Sequence, residues 1–525
     1  MHHSNNFYLG QKNFIYILLL SLLHIFFHYF FFERAALAPD DYANIINLKN
    51  NIFLKSNLLD YFLRFNDRPI SNFVIVSIHN LFNENTFYYF IALVSSSLLV
   101  LISIFILINI IIQDLKLAFI LTILYDLLPN KFETFHSSIF ININLVTLFY
   151  VITIIFFFLF YFNKNIVFLF FSYLFYLFSV FWYEVGFFIP IIFFIYINLY
   201  KHPEYSKKYL YLLLSIFLII MTFYFLFRIN FFHLSNEIES AKSINFSLIP
   251  NAILEIIKSY FGRYIIRSIV YGFYLFVNLN LFYIILLLIL NLFISILFYK
   301  FLNVLKSIKF DLKFLIFLIS FFIITLIPNI LYGGFGGRHS LLPSITFIII
   351  IYYLITLYKF RYTFHIISFL VFIGICVSQG NTWSQAISLR IINSFYETSK
   401  ENSMHLVKSE NIIVDVNSFK KNIQYSLLNN QHNNFNTYFG SQLFEDWGIR
   451  SIITIATQYS VHNNIFISAS NLKKDDNFTK FYVLNQIGYN KVNKKLLKVP
   501  NNKLFIIDYN LVYKNGYFDG KRYLK

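Results

Sequence analysis

The sequence predicts a polytopic α-helical membrane protein carrying a small soluble α/β domain at its C-terminal end. Three observations predict it. Hydrophobic residues make up 58% of the 525 and charged residues only 13%, and the mean hydropathy is +0.63. Apolar runs such as 13–32, 86–112 and 281–299 reach the ~20 residues that a helix needs to cross a hydrocarbon core. After residue 378 the composition turns polar and rich in Asn and Lys.

Membrane helices are expected at 13–32, 86–112, 117–128, 139–162, 166–182, 185–200, 209–228, 281–299, 314–330, 340–358 and 362–379. The loops between them alternate in charge. Loops 113–116, 163–165, 201–208, 300–313 and 359–361 hold 11 Lys/Arg in 32 residues, whereas 33–69, 129–138, 229–279 and 331–339 hold 11 in 107. Basic residues are retained on the cytoplasmic side. The first set is therefore read as cytoplasmic, with the N-terminus inside and the C-terminal domain outside. The first apolar run lacks a small-residue cleavage site and is read as a retained helix.

Two stretches fit no span. Residues 70–82 are apolar but short and follow Arg68-Pro69, which suits an interfacial or re-entrant helix. Residues 252–278 mix Glu255, Lys258, Arg263 and Arg267 into apolar sequence. They are read as an amphipathic segment on the outer surface, with a tilted span as the alternative. The membrane region is thus 1–380 and the soluble domain 381–525. Within the latter, strands are expected at 411–416, 449–456, 464–468, 480–484 and 504–508.

The net charge of +17 raises the question of nucleic acid. Its distribution answers it: the Lys lie in short loops and in the C-terminal tail, with no basic stripe interleaved with stacking aromatics. No nucleic-acid partner is expected. The single Cys376 excludes an intrachain disulfide and a thiolate metal cluster.

Chemistry concentrates in the outer loops. The first opens with Pro39-Asp40-Asp41-Tyr42-Ala43. A carboxylate pair at a membrane surface has two uses: one member deprotonates a hydroxyl, since mutual repulsion raises one pKa, or both hold a divalent cation. The plainer alternative is that Asp40 caps the helix that follows. Glu133 and His136 share the second outer loop and face a common cavity or simply water. Glu184, after Trp182-Tyr183, either binds a sugar hydroxyl or belongs to an interfacial aromatic belt. The four glycines before Arg338-His339 permit close backbone approach to a ligand, and Arg338 at a helix start suits a phosphate. Arg263 and Arg267 share a helical face and suit lipid headgroups or a donor phosphate. His24 and His28, four apart, have metal-ligand spacing. The sequence offers no evident third ligand, so packing or interhelical hydrogen bonding is expected of them and no metal site is assigned.

The order of these features resembles the C superfamily (GT-C) of membrane glycosyltransferases, which includes protein O-mannosyltransferases and aminoarabinose transferases. Those enzymes follow a first helix with a long outer loop opening on paired acids, and then a His/Arg-Pro turn into an apolar helix. Asp40-Asp41-Tyr42-Ala43 and Arg68-Pro69-Ile70 match that order, with Arg68-Pro69 standing where many members have His-Pro-Pro. Arg338-His339 through Pro343 is similar to their Arg-Tyr-x-x-x-Pro pattern, with His339 replacing the aromatic residue.

The resemblance implies that Asp40 or Asp41 is the catalytic base. On that reading Arg338, with Arg263 or Arg267, holds the donor phosphate, and Arg68, Glu133, His136, Glu184 and His339 line the substrate site. The expected activity is glycosyl transfer from a polyprenyl-phosphate sugar to a glycan, lipid or protein acceptor at the outer face of a bacterial inner membrane. No cofactor is required, although carboxylate-bound Mg²⁺ or Mn²⁺ is compatible with the acids. The alternatives are a transporter or flippase of lipid-linked sugars, and a non-catalytic envelope assembly protein on the same fold.

Overall fold

A computed structural model describes residues 11–31, 68–83, 85–131, 133–136, 138–200, 205–232, 249–277, 279, 281–302, 311–331, 339–357, 363–415, 446–458, 464–468, 472–475, 477–486, 492–502, 504–508 and 511. Most of these are helical. The helices used below are α1 (Gln11–His28), α2 (Pro69–Phe82), α3 (Thr86–Ile112), α4 (Leu115–Asp126), α5 (Ile141–Asn163), α6 (Ile166–Trp182) and α7 (Ile189–Leu199). They continue with α8 (Lys207–Phe232), α9 (Ile249–Tyr260), α10 (Arg263–Val277), α11 (Leu281–Leu302), α12 (Leu312–Leu331), α13 (Leu341–Leu357), α14 (Thr363–Glu401), α15 (Ser403–Lys408) and α16 (Asp446–Ala456).

Six described helices contain a segment long and apolar enough to cross a membrane: α3, α5, α8, α11, α12 and, within α14, His365–Trp383. Shorter helices occupy the remaining expected spans, with α4 12 residues long but displaced two residues toward the N-terminus and α7 reduced to 11. The lipid-facing character is visible in exposure. Leu281, Phe282, Ile289 and Phe293 of α11 point outward, where water would penalise them and hydrocarbon would not.

Two hairpins share one local device. Gln113 (φ 58) ends α3 in the left-handed region, and Asp114 then caps α4 by accepting from the amides of Lys116 and Leu117. Lys164 (φ 62) ends α5, and Asn165 caps α6 by accepting from Val167 N. A left-handed residue satisfies the last carbonyls and an Asx side chain the next free amides, so a two-residue connection reverses the chain.

Residues 70–82 do form a short helix, α2, with Pro69 in its first turn and with contacts to α3, α5 and α6. The stretch 252–278 is split into α9 and α10 around Phe261-Gly262. Helix α10 packs along α14 at Gly272 and Gly380, where a Cβ on Gly380 would lie 2.0 Å from the Gly272 carbonyl oxygen. Small residues let two backbones touch in this way.

The C-terminal region differs from expectation in three places. Helix α14 does not stop near 379 but continues through the change of composition to Glu401. Residues 449–456, expected as a strand, lie in the helix α16. Their β-branched content suggests a strand, but Ile449, Ile452, Ile453 and Ala456 recur at the 3–4 spacing of one helix face and are all buried, with Ser451, Ile455 and Thr457 buried beside them. The strand β5 (Val492–Pro500), which sequence reading missed, pairs antiparallel with β4 (Phe478–Gln486), whose other neighbour is the two-residue β3 (Lys473–Lys474). Beside them β1 (Asn411–Val414) forms the centre of a parallel sheet flanked by β2 (Asn464–Ile467) and β6 (Leu504–Ile507). Its buried run Ile412-Ile413-Val414 suits a central parallel strand. Helix α16 packs on both α14 and β2, and Arg450 Nη2 donates to Ile465 O at 2.9 Å.

Candidate functional site

Polar side chains collect at one end of the helical bundle, where α1, α4 and α6 finish and α2, α5 and α13 begin. Three groups make up this end.

The first centres on Tyr183. The chain leaves α6 at Trp182 and makes a single turn, Glu184–Gly186, before α7. Gly186 is required there, because a Cβ would come within 2.5 Å of the Tyr150 ring; Tyr150 in turn donates its hydroxyl to Tyr183 O at 2.7 Å. The turn buries the Glu184 carboxylate, whose side chain is 5% exposed. Arg68 Nε donates to Glu184 Oε2 at 3.2 Å, and Tyr224 OH donates to Oε1 at 3.1 Å. The Arg68 guanidinium also lies over the Tyr183 ring at 4.0 Å, a cation–π contact. His339 also lies against that ring, stacked at a centroid distance of 6.5 Å. Asn142 fixes the position of α2 by donating to Ser71 Oγ at 2.7 Å while accepting from Trp182 Nε1.

The second group is buried between α1 and α4. The carboxylate of Asp126, the last residue of α4, lies 2.9 Å from His24 Nδ1 and 3.2 Å from His28 Nε2. Lys131 follows in the turn Pro129–Lys131, fully buried, with Nζ donating to Asp126 O at 3.0 Å and lying 4.2 Å from the Tyr125 ring. Burial pushes the Lys131 ammonium down to about 7, against the pull of Asp126.

The third group ties the second loop to α13. Ser340 Oγ donates to Asn130 O, and Tyr260 OH lies 3.2 Å from Ser344 Oγ and 3.3 Å from Ser340 O. Three buried atoms of this region, Asn130 Oδ1, Asn381 Nδ2 and Trp383 Nε1, have no hydrogen-bond partner among the described residues.

Of the residues expected from sequence, the structure brings Arg68, Glu184 and His339 together around Tyr183. Asp40, Asp41 and Arg338 lie outside the described residues. Glu133 and His136 fall in a four-residue helical turn, and Arg263 and Arg267 one turn apart at the start of α10; their side chains are likewise outside the described set. Sequence reading missed Asp126, Lys131 and Tyr224. A signal for Asp126 existed: an acid at the end of an expected membrane helix is itself a functional marker. It is also the third ligating group within reach of His24 and His28 that the sequence did not reveal.

No protein-family model matches the chain, and no curated protein matches it either.

Proposed function

We propose that this chain is a membrane glycosyltransferase of the C-superfamily type, moving a sugar from a polyprenyl-phosphate donor to an envelope acceptor at the outer face of a bacterial inner membrane. One observation carries the proposal: the Tyr183 ring meets both Arg68, the residue that ends the first long loop, and His339, the residue that ends the glycine-rich loop. Arg68 and His339, the described residues that follow Asp40–Asp41 and Arg338 in the chain, thus meet at one ring. Its chemistry suits the substrate. An aromatic face and a carboxylate recognise a sugar, and arginines recognise a phosphate.

In the proposed mechanism one aspartate of the pair takes the proton from the acceptor hydroxyl as that oxygen attacks the anomeric carbon. The bond from that carbon to the lipid phosphate breaks, and Arg338 meets the negative charge growing on the departing phosphate. Arg263 or Arg267 assists it. Glu184 holds Arg68 in place through the ion pair and so shapes the pocket wall. Eleven spans, with the N-terminus in the cytoplasm and the C-terminal domain outside, put all these loops on one side.

A second reading, a transporter of lipid-linked sugars, draws support from the buried His24, His28, Asp126 and Lys131, since transporters carry ionisable groups within the bundle. Proteoliposomes separate the two. Purified protein, a polyprenyl-phosphate sugar labelled in the sugar and an envelope extract as acceptor should give labelled glycan with release of polyprenyl phosphate. Movement of intact donor across the bilayer without glycan formation would favour the transporter and refute the transferase.

A further inference from the structure

We propose that His24, His28 and Asp126 form a binding site for a divalent transition-metal ion, zinc by its donor set, that ties α1 to α4. The inference is independent of the transferase proposal.

The three side chains each offer one ligand atom, and these atoms all lie within 4.8 Å of one another. His24 Nδ1 is 2.9 Å and His28 Nε2 is 3.2 Å from Asp126 Oδ1. Ligand atoms around tetrahedral zinc, with bonds of about 2.0–2.1 Å, stand roughly 3.4 Å apart. The two His–Asp distances lie within about half an ångström of that spacing. The histidines are one helical turn apart on α1 and the acid ends α4, so two rigid elements supply all three ligands.

The outward nitrogens of the two rings carry the argument further. His24 Nε2 faces Ser97 Oγ at 3.0 Å, and His28 Nδ1 faces Ser378 Oγ at 3.2 Å. Each serine also has a backbone carbonyl in reach: Ser97 Oγ donates to Val94 O at 2.9 Å and Ser378 Oγ to Phe27 O at 3.0 Å. A serine has one hydroxyl hydrogen. When it goes to the carbonyl, the serine oxygen can only accept from the ring, and the outward nitrogen must carry the proton. A neutral imidazole then presents a lone pair inward. In that tautomer two lone pairs and a carboxylate face one another within 4.8 Å, and a cation between them would satisfy all three. Outward donation by each ligating ring is also the usual second-layer support of a metal-bound histidine.

The donor set selects the ion. Two imidazoles and one carboxylate suit zinc and its neighbours, whereas magnesium and calcium prefer all-oxygen ligands. Lys131 bonds the backbone carbonyl of Asp126 and leaves the carboxylate to the ion. Phe135 covers the group, its ring 5.3 Å from His24 and 5.0 Å from His28. The ligand side chains are 0% to 3% exposed, so a substrate has no access and the role is structural.

The full-length protein in detergent, incubated with Zn²⁺ and desalted, should retain roughly one zinc per chain by elemental mass spectrometry. Co²⁺ in its place should give the visible absorption of a low-coordinate nitrogen and oxygen site. A strong chelator should lower the Tm of the wild type, and zinc should restore it. His24→Gln and Asp126→Asn should lose zinc and the chelator response together. If those variants fail to fold, the wild-type stoichiometry and chelator shift still decide. Failure of the wild type to retain zinc would overturn the proposal, because it would mean that the serine hydrogens turn to the rings and both imidazoles donate to Asp126. Zinc retained equally by every variant would overturn it too, as binding elsewhere.

Discussion

Glu184 shows how a single residue converts a local turn into part of a site. Its carboxylate is nearly buried, and a buried charge is tolerated only when paired and hydrogen-bonded; Arg68 and Tyr224 meet that requirement. Removing either side of the pair should leave the other unsatisfied. Arg68→Ala and Glu184→Gln should each lower stability in detergent by ~1–3 kcal/mol. The double variant should cost less than the sum, with a coupling of ~0.5–3 kcal/mol; additive losses would show that the pair does not form in solution. At the proposed donor site Arg338→Lys keeps the charge but loses the planar fork, so turnover or donor affinity should fall, and Arg338→Ala should reduce it further. Equal activity of wild type and Arg338→Ala would make the glycine-rich loop structural. Sequence named Arg68, Glu184 and His339 one by one, from their places in loops. Their meeting around Tyr183 was not legible, because it depends on how α2, α6 and α13 pack.

At the scale of elements, two long hydrophobic runs bounded by capping residues were legible to their ends, although α4, capped by Asp114, begins two residues earlier than expected. The limits 86–112 and 166–182 were read to the residue, since Asn85 and Gln113 bracket one helix, and Asn165 opens the other. Failures came where apolarity and secondary structure part company. Helix α14 outlives its apolar segment because nothing between Ser378 and Glu401 breaks a helix: no proline interrupts, and the one glycine, Gly380, is where α10 needs to approach. That close approach makes a prediction. Gly380→Ala places a methyl group into the Gly272 carbonyl and should destabilise by ~1–3 kcal/mol or more. Gly374→Ala, whose Cβ would meet the Leu127 side chain at 3.2 Å, should cost clearly less. Thermal unfolding of both in the same detergent checks it, and equal losses would contradict the backbone contact.

For the whole molecule, the membrane class was legible from composition, and the polar end of the bundle was foreshadowed by the loops that carry acids and arginines. What composition could not convey is depth, as with Asp126 buried against α1. Sidedness is the next test. Reporter fusions at 205, 307 and 360 should be cytoplasmic and those at 55, 335 and 450 extracytoplasmic, following the loop charges. A cytoplasmic signal at 450 would separate the C-terminal domain from the proposed site. The most direct test concerns Asp40 and Asp41 themselves. Asp→Asn preserves size and hydrogen-bonding shape but removes the capacity to take a proton. A positioned general base contributes ~10²–10⁴-fold in rate, whereas a lost helix cap costs only ~1 kcal/mol of stability. Sugar transfer from labelled polyprenyl-phosphate donor should be measured for wild type, Asp40→Asn and Asp41→Asn, each inserted and folded to the same level. The proposed function requires one variant, Asp40→Asn by preference, to lose at least about 100-fold in rate with unchanged Tm; near-normal transfer by both variants would contradict it.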